Sequence, residues 1–233
     1  MKMRYLIVNA DDFGASRGIN RGIVEAHRHG ILTSASLLVN TPWSEEAALL
    51  SRALPDLSVG LHLHVINAGR QPAVASVDAD HCGAELQRQF LRFQELMGHP
   101  PTHLDSHHNI HRDPRLLPYC LDLARHYGLP LREHSRVRYF SKFYGQWGGE
   151  THLEQISVES LVRMLETDIP EGVTELSCHP GYVDLDFSSG YSAERETELR
   201  SLCDPIIRQV LTVRDIQLAS FRDLGSLLVD LPT

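Results

Sequence analysis

Short apolar runs alternate along the chain with longer segments in which apolar positions recur every three or four residues. A short, β-branched apolar run predicts a buried strand, and the longer period predicts an amphipathic helix. The predicted strands lie at about residues 4–10, 31–39, 57–65, 102–109, 129–134, 173–179 and 216–220. The pattern therefore predicts about seven strand-then-helix units.

The predicted helices have recognisable ends. Ser16 is placed as an N-cap before a stripe of Ile19, Ile23 and Ala26, and this stripe stops at Gly30. Similar boundaries occur in three further segments: Thr41 before Pro42; Leu86, Phe90, Phe93 and Met97 before Gly98; and Leu116, Cys120, Leu121, Leu123 and Ala124 before Gly128.

The regular alternation of strands and helices predicts a parallel sheet with right-handed crossovers, either open and doubly wound or closed as a barrel. The 233 residues, of which 42% are hydrophobic, are enough for one large core, so a single domain over residues 1–233 is expected. Both architectures bind their ligands at the carboxyl ends of the parallel strands.

Charge and hydropathy exclude two classes of partner. The formal net charge is −8, and the 22 basic residues form no run, which argues against a nucleic-acid partner. No stretch approaches the roughly 20 apolar residues that a membrane span needs. The first residues also lack a separate apolar segment with a cleavage site, so the cytoplasm is the predicted location.

The four cysteines are scattered without CxxC spacing: Cys82, Cys120, Cys178 and Cys203. In a chain of this size we predict reduced thiols in the core rather than a disulfide framework or a zinc site. Cys178 directly precedes His179, but neighbours in a strand point to opposite faces. A thiol nucleophile paired with that histidine is therefore disfavoured.

Ionisable residues gather where several predicted strands end. Asp11 and Asp12 follow the first strand, His62 and His64 end the third, the motif HLDSHHNIH at 103–111 ends the fourth, and His179 ends the sixth. Because the ends of parallel strands meet at one rim, we expect these groups to lie together. Taken singly, a strand-end histidine is typical of a hydrogen-bonded structural residue, and an aspartate here suits helix capping. Their conjunction favours a functional site.

A period of two sorts the residues of HLDSHHNIH onto two faces. His103, Asp105, His107, Asn109 and His111 are predicted to point into a barrel, and the intervening residues are predicted to pack under helices. Buried carboxylates and imidazoles require hydrogen bonds or a metal ion. One carboxylate with two imidazoles is typical of a divalent metal site that leaves positions open for water and substrate.

The aromatic run RYFSKFY at 138–144, together with His134, has two interpretations. It is either part of a sugar-binding platform or a packed loop. The sequence leaves both open.

Four blocks of sequence carry a family resemblance: LIVNADDFGAS, VGLHLH, THLDSHHNIH and SCHPG. Together, and nearly from end to end, they resemble the YdjC-like carbohydrate deacetylase family, which includes chitooligosaccharide deacetylases and a hopanoid-associated relative. The resemblance implies an α/β fold built as a distorted, TIM-like (β/α) barrel with about seven parallel strands. It also implies a metal-dependent hydrolase that removes acetyl groups from N-acetylated amino sugars or oligosaccharides.

The resemblance assigns roles to six residues. The implied metal ligands are Asp12, His62 and His107. Asp11 is similar to the base that takes a proton from water, His179 to the acid that protonates the leaving nitrogen, and Arg132 to the residue that orients Asp11. The implied cofactor is one divalent ion, either Mg or Zn, because this donor set accepts zinc while an adjacent acid and water also suit magnesium.

The chain also departs from the family pattern. Larger relatives carry a longer insertion where this chain has only residues 66–82, a segment predicted to border the substrate. Its brevity leaves the identity and length of the sugar undetermined. The second histidine block reads HHNIH where other members have HHHVH, so the resemblance assigns no role to His111.

Amide hydrolysis needs a strong nucleophile, a site for the oxyanion and a proton for the leaving amine. A metal that lowers the pKa of bound water, with Asp11 and His179, would supply all three. Two other classes stay open: a metal-dependent phosphoesterase, because His62 and His64 resemble an HxH pair, and a non-catalytic sugar-binding relative. The oligomeric state is also open, with a homodimer as one candidate.

Overall fold

The computed structural model describes residues 3–65, 79–184 and 189–227. Most of the short 66–82 segment therefore lies outside the described residues, and its predicted position beside the substrate is not addressed. Within the described ranges, no helix has both the length and the apolar character that crossing a lipid bilayer would require.

The described strands are, in chain order, β1 (Arg4–Phe13), β2 (Ser34–Leu37), β3 (Ser58–Leu63), β4 (Leu104–Ser106), β5 (Arg138–Phe140), β6 (Gln146–Trp147), β7 (Glu150–Thr151), β8 (Gly172–Cys178) and β9 (Ile216–Ala219). The α-helices are α1 (Arg17–His29), α2 (Ser44–Arg52), α3 (Ala79–Met97), α4 (Leu117–Tyr127), α5 (Val158–Thr167), α6 (Ala193–Cys203), α7 (Pro205–Val213) and α8 (Leu224–Leu227). Short 3₁₀ turns cover His107–Arg112, Leu153–Ile156 and Phe221–Asp223.

Seven of the described strands form one parallel sheet in the order β4-β3-β2-β1-β8-β5, and β9 pairs with the first half of β1. Strands β6 and β7 form a separate antiparallel hairpin. Helices follow most of the sheet strands along the chain, as the alternating pattern predicts. The predicted α/β fold with about seven parallel strands is confirmed, and the curled sheet forms a half-barrel.

The predicted strand at 129–134 is wrong. Leu131 makes only an isolated parallel bridge to Leu104 at the outer edge of β4. Pro130 has no N–H to donate, and Glu133 adopts the left-handed conformation with φ of 63°, so the extended stretch is too short to form a ladder. The regular strand in this part of the chain is β5, a few residues later.

The predicted alternation through HLDSHHNIH holds only as far as Ser106, where β4 ends. The following turn contains His108 and Asn109 with φ of 53° and 52°, and the Ser106 hydroxyl accepts a hydrogen bond from the backbone N–H of His111. Local side-chain bonds of this kind compete with strand pairing. His108 is therefore exposed, and the prediction that it packs under a helix is wrong.

Three predicted helices agree closely with the structure. In α1 the Ser16 hydroxyl accepts a hydrogen bond from the N–H of Ile19, and the apolar stripe is buried up to Gly30. Helix α3 buries its predicted apolar face, and α4 ends at Gly128 in the left-handed conformation that glycine adopts at little cost. Helix α2 begins at Ser44, slightly later than the proline signal indicates.

All four cysteines are free, and all but the half-buried Cys203 are buried. The predicted burial in the core therefore holds for Cys82, Cys120 and Cys178 but not for Cys203. Burial raises the pKa of Cys178 well above its ordinary value, and its Sγ donates to the carbonyl of Asn9. A buried thiol with a raised pKa is a poor nucleophile, so the structure also disfavours a thiol mechanism.

Candidate active site

A cavity of about 720 Å³ lies at the carboxyl ends of the central strands. Its lining includes ionisable residues from four strand ends, among them Asp11, Asp12, His62, His107 and His179. These groups are far apart in sequence, and the parallel sheet brings them together as the strand-end pattern predicts.

The two adjacent aspartates line the same cavity because the end of β1 is irregular. Neighbouring residues of a regular strand point to opposite faces. Pairing between β1 and β2 shifts register between Ala10 and Phe13, and Asp12 adopts a left-handed backbone with φ of 69°. A bulge of this kind redirects a side chain, so both Asp11 and Asp12 reach the cavity.

Asp12 lies beside the two histidines predicted as its partners in a metal site. Its Oδ1 is 2.9 Å from Nδ1 of His107 and 3.4 Å from Nε2 of His62. One donor atom from each of the three residues lies within 4.8 Å of the others. One carboxylate oxygen and two imidazole nitrogens in this spacing fit a divalent cation.

Asp105 orients His62 from behind. The two residues are partners across β3 and β4, and Nδ1 of His62 lies 2.8 Å from Oδ1 of Asp105. A carboxylate on the far nitrogen is the usual support of a metal-binding histidine, because it leaves the other nitrogen facing the ion. Burial lowers the pKa of His62, but the carboxylates of Asp105, Asp12 and Asp11 together outweigh it and raise that pKa to about 10.

Asp11, His62 and Asp105 form a second group with donor atoms in similar spacing. Its carboxylate oxygens are already engaged by Arg132, whose Nη2 lies 2.7 Å from both Asp11 Oδ1 and Asp105 Oδ2. A cation would have to compete with this guanidinium. The group that contains Asp12 is therefore the better metal candidate.

Arg132 holds Asp11 in a bidentate ion pair, with N–O distances of 2.7 Å each. The guanidinium also contacts Glu175 of β8, at 2.6 Å from Oε1. Burial raises the pKa of Glu175 to about 7 although Arg132 opposes this shift. One arginine thus fixes the direction of the Asp11 carboxylate by bonding to groups from several strands.

His179 directly follows β8 and lines the same cavity. Its Nε2 is 3.9 Å from Oδ2 of Asp11, and its Nδ1 is 3.8 Å from Oε1 of Glu198. The backbone N–H of His179 donates a short hydrogen bond to the same Glu198 carboxylate. Burial lowers the pKa of His179, but Glu198 outweighs it, so the net shift is upward.

Helix α6 supplies two site residues that the sequence reasoning missed. Arg195 donates to Oδ2 of Asp12 at 2.6 Å and to the backbone carbonyl of His179 at 3.3 Å. Glu198 is fully buried. The sequence of α6, AERETELRSLC, carries a signal for this. It lacks the apolar stripe that is typical of a helix with one side facing solvent.

Arg195 also decides the charge state of Asp12. Burial alone would raise the pKa of this carboxyl group. Arg195, and then the hydrogen bonds with His107 and His62, outweigh burial and hold the pKa well below its ordinary value. Oδ1 of this carboxylate therefore faces His62 and His107, and Oδ2 faces Arg195.

The remaining histidines of the strand-end motifs differ in their environments. His64 lines the cavity, and burial lowers its pKa to about 4. His111 is fully buried between Ser106 and Glu133, with Nδ1 2.6 Å from the serine hydroxyl and Nε2 3.1 Å from the carboxylate. His111 is therefore a structural part of the turn.

Each of the two interpretations of the aromatic run at 138–144 holds for part of the run. Phe140 and Phe143 are buried in the core, whereas Tyr139 and Tyr144 line the cavity. The hydroxyl oxygen of Tyr139 lies 3.1 Å from the hydroxyl oxygen of Ser177. Part of the run is thus packed, and part of it faces the cavity.

The sequence matches the family described as YdjC-like protein over residues 5–213. It is 35% identical to a chitooligosaccharide deacetylase of Serratia marcescens, over 95% of this chain and 99% of the relative. It is also 35% identical to a carbohydrate deacetylase of Geobacillus stearothermophilus, over 96% of this chain and 99% of the relative.

A crystal structure from Enterococcus faecalis V583 has a similar fold over the same length. It is of a protein with a proposed role in cellobiose-phosphate cleavage. The TM-score is 0.84 at 28% sequence identity, and the match covers 95% of this chain and 99% of the other. The similarity therefore extends across the strands and helices that form the cavity.

Proposed function

The chain belongs to the YdjC-like family, and from this premise we propose that it hydrolyses the acetyl group from N-acetylated amino sugars or their oligosaccharides. The observation that carries the proposal is that Asp12, His62 and His107 line one cavity together with Asp11 and His179, with Oδ2 of Asp11 3.9 Å from Nε2 of His179. This grouping provides a metal candidate, a base and an acid in one cavity. Relatives named as deacetylases support the same reaction.

Asp12, His62 and His107 would hold one divalent ion. When bound, such an ion supplies Lewis-acid polarisation of a carbonyl and makes water easier to deprotonate. Both Mg and Zn are compatible with a carboxylate oxygen and two imidazole nitrogens, so we propose metal dependence without choosing between them. Asp105 and Arg195 hold His62 and Asp12 in the required directions.

Asp11 would act as the general base. It lies next to Asp12 in the chain and lines the same cavity, while Arg132 keeps its carboxylate in a fixed direction. A positioned carboxylate of this kind can take a proton from the attacking water. Asp11 does not need to bind metal for this role.

His179 would donate the proton to the leaving nitrogen. The upward shift of its pKa favours the protonated imidazole that an acid requires. Its Nε2 lies 3.9 Å from Oδ2 of Asp11. Base and acid would thus serve the two ends of the same amide bond.

The phosphoesterase alternative has less support in the site. His64, the second histidine of the HxH pair, belongs to neither of the metal-ligand groups found among the described residues. The sugar-binding alternative leaves unexplained why a base candidate and an acid candidate lie 3.9 Å apart in one cavity. The cytoplasmic location and the homodimer stay predictions from the sequence.

Acetate and phosphate release distinguish these functions. The protein is incubated with di-N-acetylchitobiose or with cellobiose 6-phosphate, before and after treatment with EDTA. We expect acetate from the acetylated sugar, loss of this activity with EDTA, and recovery on addition of Mg or Zn. Release of phosphate without acetate would support the phosphoesterase, and binding of the sugar without either product would support the binding module.

A further inference from the structure

The proposed reaction fixes where the sugar must lie. In an N-acetylated amino sugar, the nitrogen that leaves is bonded directly to a carbon of the pyranose ring. If His179 protonates that nitrogen, the ring has to sit beside the imidazole. This inference rests on the proposed function, and it asks which side chain next to His179 can receive a sugar ring.

Tyr144 has the required position. Its ring centroid is 5.6 Å from that of His179, and both residues line the cavity. Tyr144 is 38% exposed, although its chain neighbour Phe143 is fully buried in the core. The cavity therefore presents an accessible aromatic ring directly beside the candidate acid.

Tyr191 fixes the orientation of this ring. The two tyrosine rings are stacked at 8° with a centroid separation of 4.9 Å. Tyr191 is itself held at its hydroxyl, which accepts a hydrogen bond from the N–H of Gly145 at 2.9 Å and donates one to Glu198. Tyr191 therefore stacks against one face of Tyr144, and a ligand would take the other face.

We propose that Tyr144 is the platform on which the pyranose ring of the leaving amino sugar stacks. The C–H face of a pyranose is apolar, and an aromatic face with its negative quadrupole receives such hydrogens favourably. A ring already held by Tyr191 loses little conformational entropy when the sugar binds. Tyr144 thus selects a cyclic leaving group, and it contributes binding rather than proton transfer.

Trp147 provides a matched control. It is a half-exposed aromatic residue on β6, stacked at 3° on His152 with a centroid separation of 3.7 Å. It does not line the cavity, although its neighbour Gln146 does. Loss of its ring tests whether removal of any exposed aromatic residue near the site has the same effect.

The test measures kcat and KM for acetate release from di-N-acetylchitobiose and from N-acetylethanolamine, which has the same amide without a ring. For Tyr144→Ala on the disaccharide, we expect KM to rise by about tenfold and kcat to change by less than about threefold, because a platform contributes uniform binding. Tyr144→Phe and Trp147→Ala should leave both constants near the wild-type values. The ring-free amide should be insensitive to Tyr144→Ala.

An unchanged KM in Tyr144→Ala would overturn the platform, and so would an equal loss on both substrates, which would indicate a disturbance around His179. Tyr144→Leu, which retains apolar volume, replaces the alanine variant if that variant does not fold. If the wild-type protein releases no acetate, the proposed function fails. Calorimetric binding of di-N-acetylchitobiose by wild type and Tyr144→Ala then decides the platform separately, with equal affinities overturning it.

Discussion

The cavity has two sides of different origin. The strand side consists of Asp11, Asp12, His62 and His107, which end strands of the parallel sheet or directly follow them. The helix side consists of Tyr191, Arg195 and Glu198, from α6 and the residue two positions before it. The strand-side residues are visible in the sequence as polar groups that interrupt apolar runs. The helix-side residues lie in a charged segment, where no such interruption marks them.

The difference concerns the task of each side. Strand-side groups include the proposed base and metal ligands, and they line the cavity. Helix-side groups hold neighbouring site residues in place: Arg195 bonds to Asp12, and Glu198 bonds to the backbone of His179. We therefore expect substitutions on the strand side to abolish metal binding or proton transfer. Substitutions on the helix side should only lower the rate of turnover.

The largest effect is expected for His107→Ala. Loss of one of three ligands should abolish stoichiometric binding of Mg or Zn, and acetate release should fall by more than about 10⁴-fold. The fold should persist, since the side chain lies at the rim of the sheet and is 26% exposed. Metal content by mass spectrometry and circular dichroism would check both points.

His108→Asn is the matched control, because it removes an adjacent imidazole while asparagine tolerates the left-handed backbone at this position. It should retain the metal. Full metal occupancy in a folded His107→Ala protein would show that the ligand set is misassigned.

A second prediction separates acid from base at the centre of the cavity. His179→Ala should lower acetate release from an N-acetyl sugar by about 10²-fold or more, because an amine anion does not leave without a proton. An aryl acetate should be largely spared, since its phenolate leaves unaided. Asp11→Asn, in contrast, should impair both substrates and retain the metal. Parallel rate measurements on the two substrates provide the check.

Equal loss of amide and ester activity in a folded, metal-loaded His179→Ala protein would remove this residue from the acid role. Loss of metal in Asp11→Asn would mean that the roles of Asp11 and Asp12 are reversed.

The smallest effect is expected on the helix side, for Glu198→Gln. Glutamine retains most of the shape but removes the charge beside His179 Nδ1, so amide turnover should fall by about tenfold and aryl-ester turnover should not. Glu194→Gln serves as the control, because Glu194 is also buried on α6 but contacts Thr151 and Gln146 instead. A similar amide loss in both variants would assign the effect to the stability of α6, which thermal unfolding would reveal.

Much of the fold follows from local pattern. The stripes of α1, α3 and α4 and their boundaries agree with the structure because apolar periodicity and capping act within one turn of a helix. The prediction fails at 129–134 and after Ser106, where Pro130, left-handed residues and the Ser106 hydroxyl override an apparently strand-like sequence. These interactions are also local, but an alternating pattern of polar and apolar residues does not reveal them.

The family resemblance implied the candidate ligand set. The sequence by itself determined that strands and helices alternate and that four strand ends carry the ionisable groups. These properties depend on residue type and spacing along one element. The tertiary structure decided that both aspartates face one cavity, through the bulge at the end of β1, that Arg195 of α6 bonds to Asp12, and that Glu198 of α6 bonds to the backbone of His179. The first depends on backbone direction, and the other two join separate elements, 183 and 19 positions apart. A one-dimensional pattern of polar and apolar residues specifies neither.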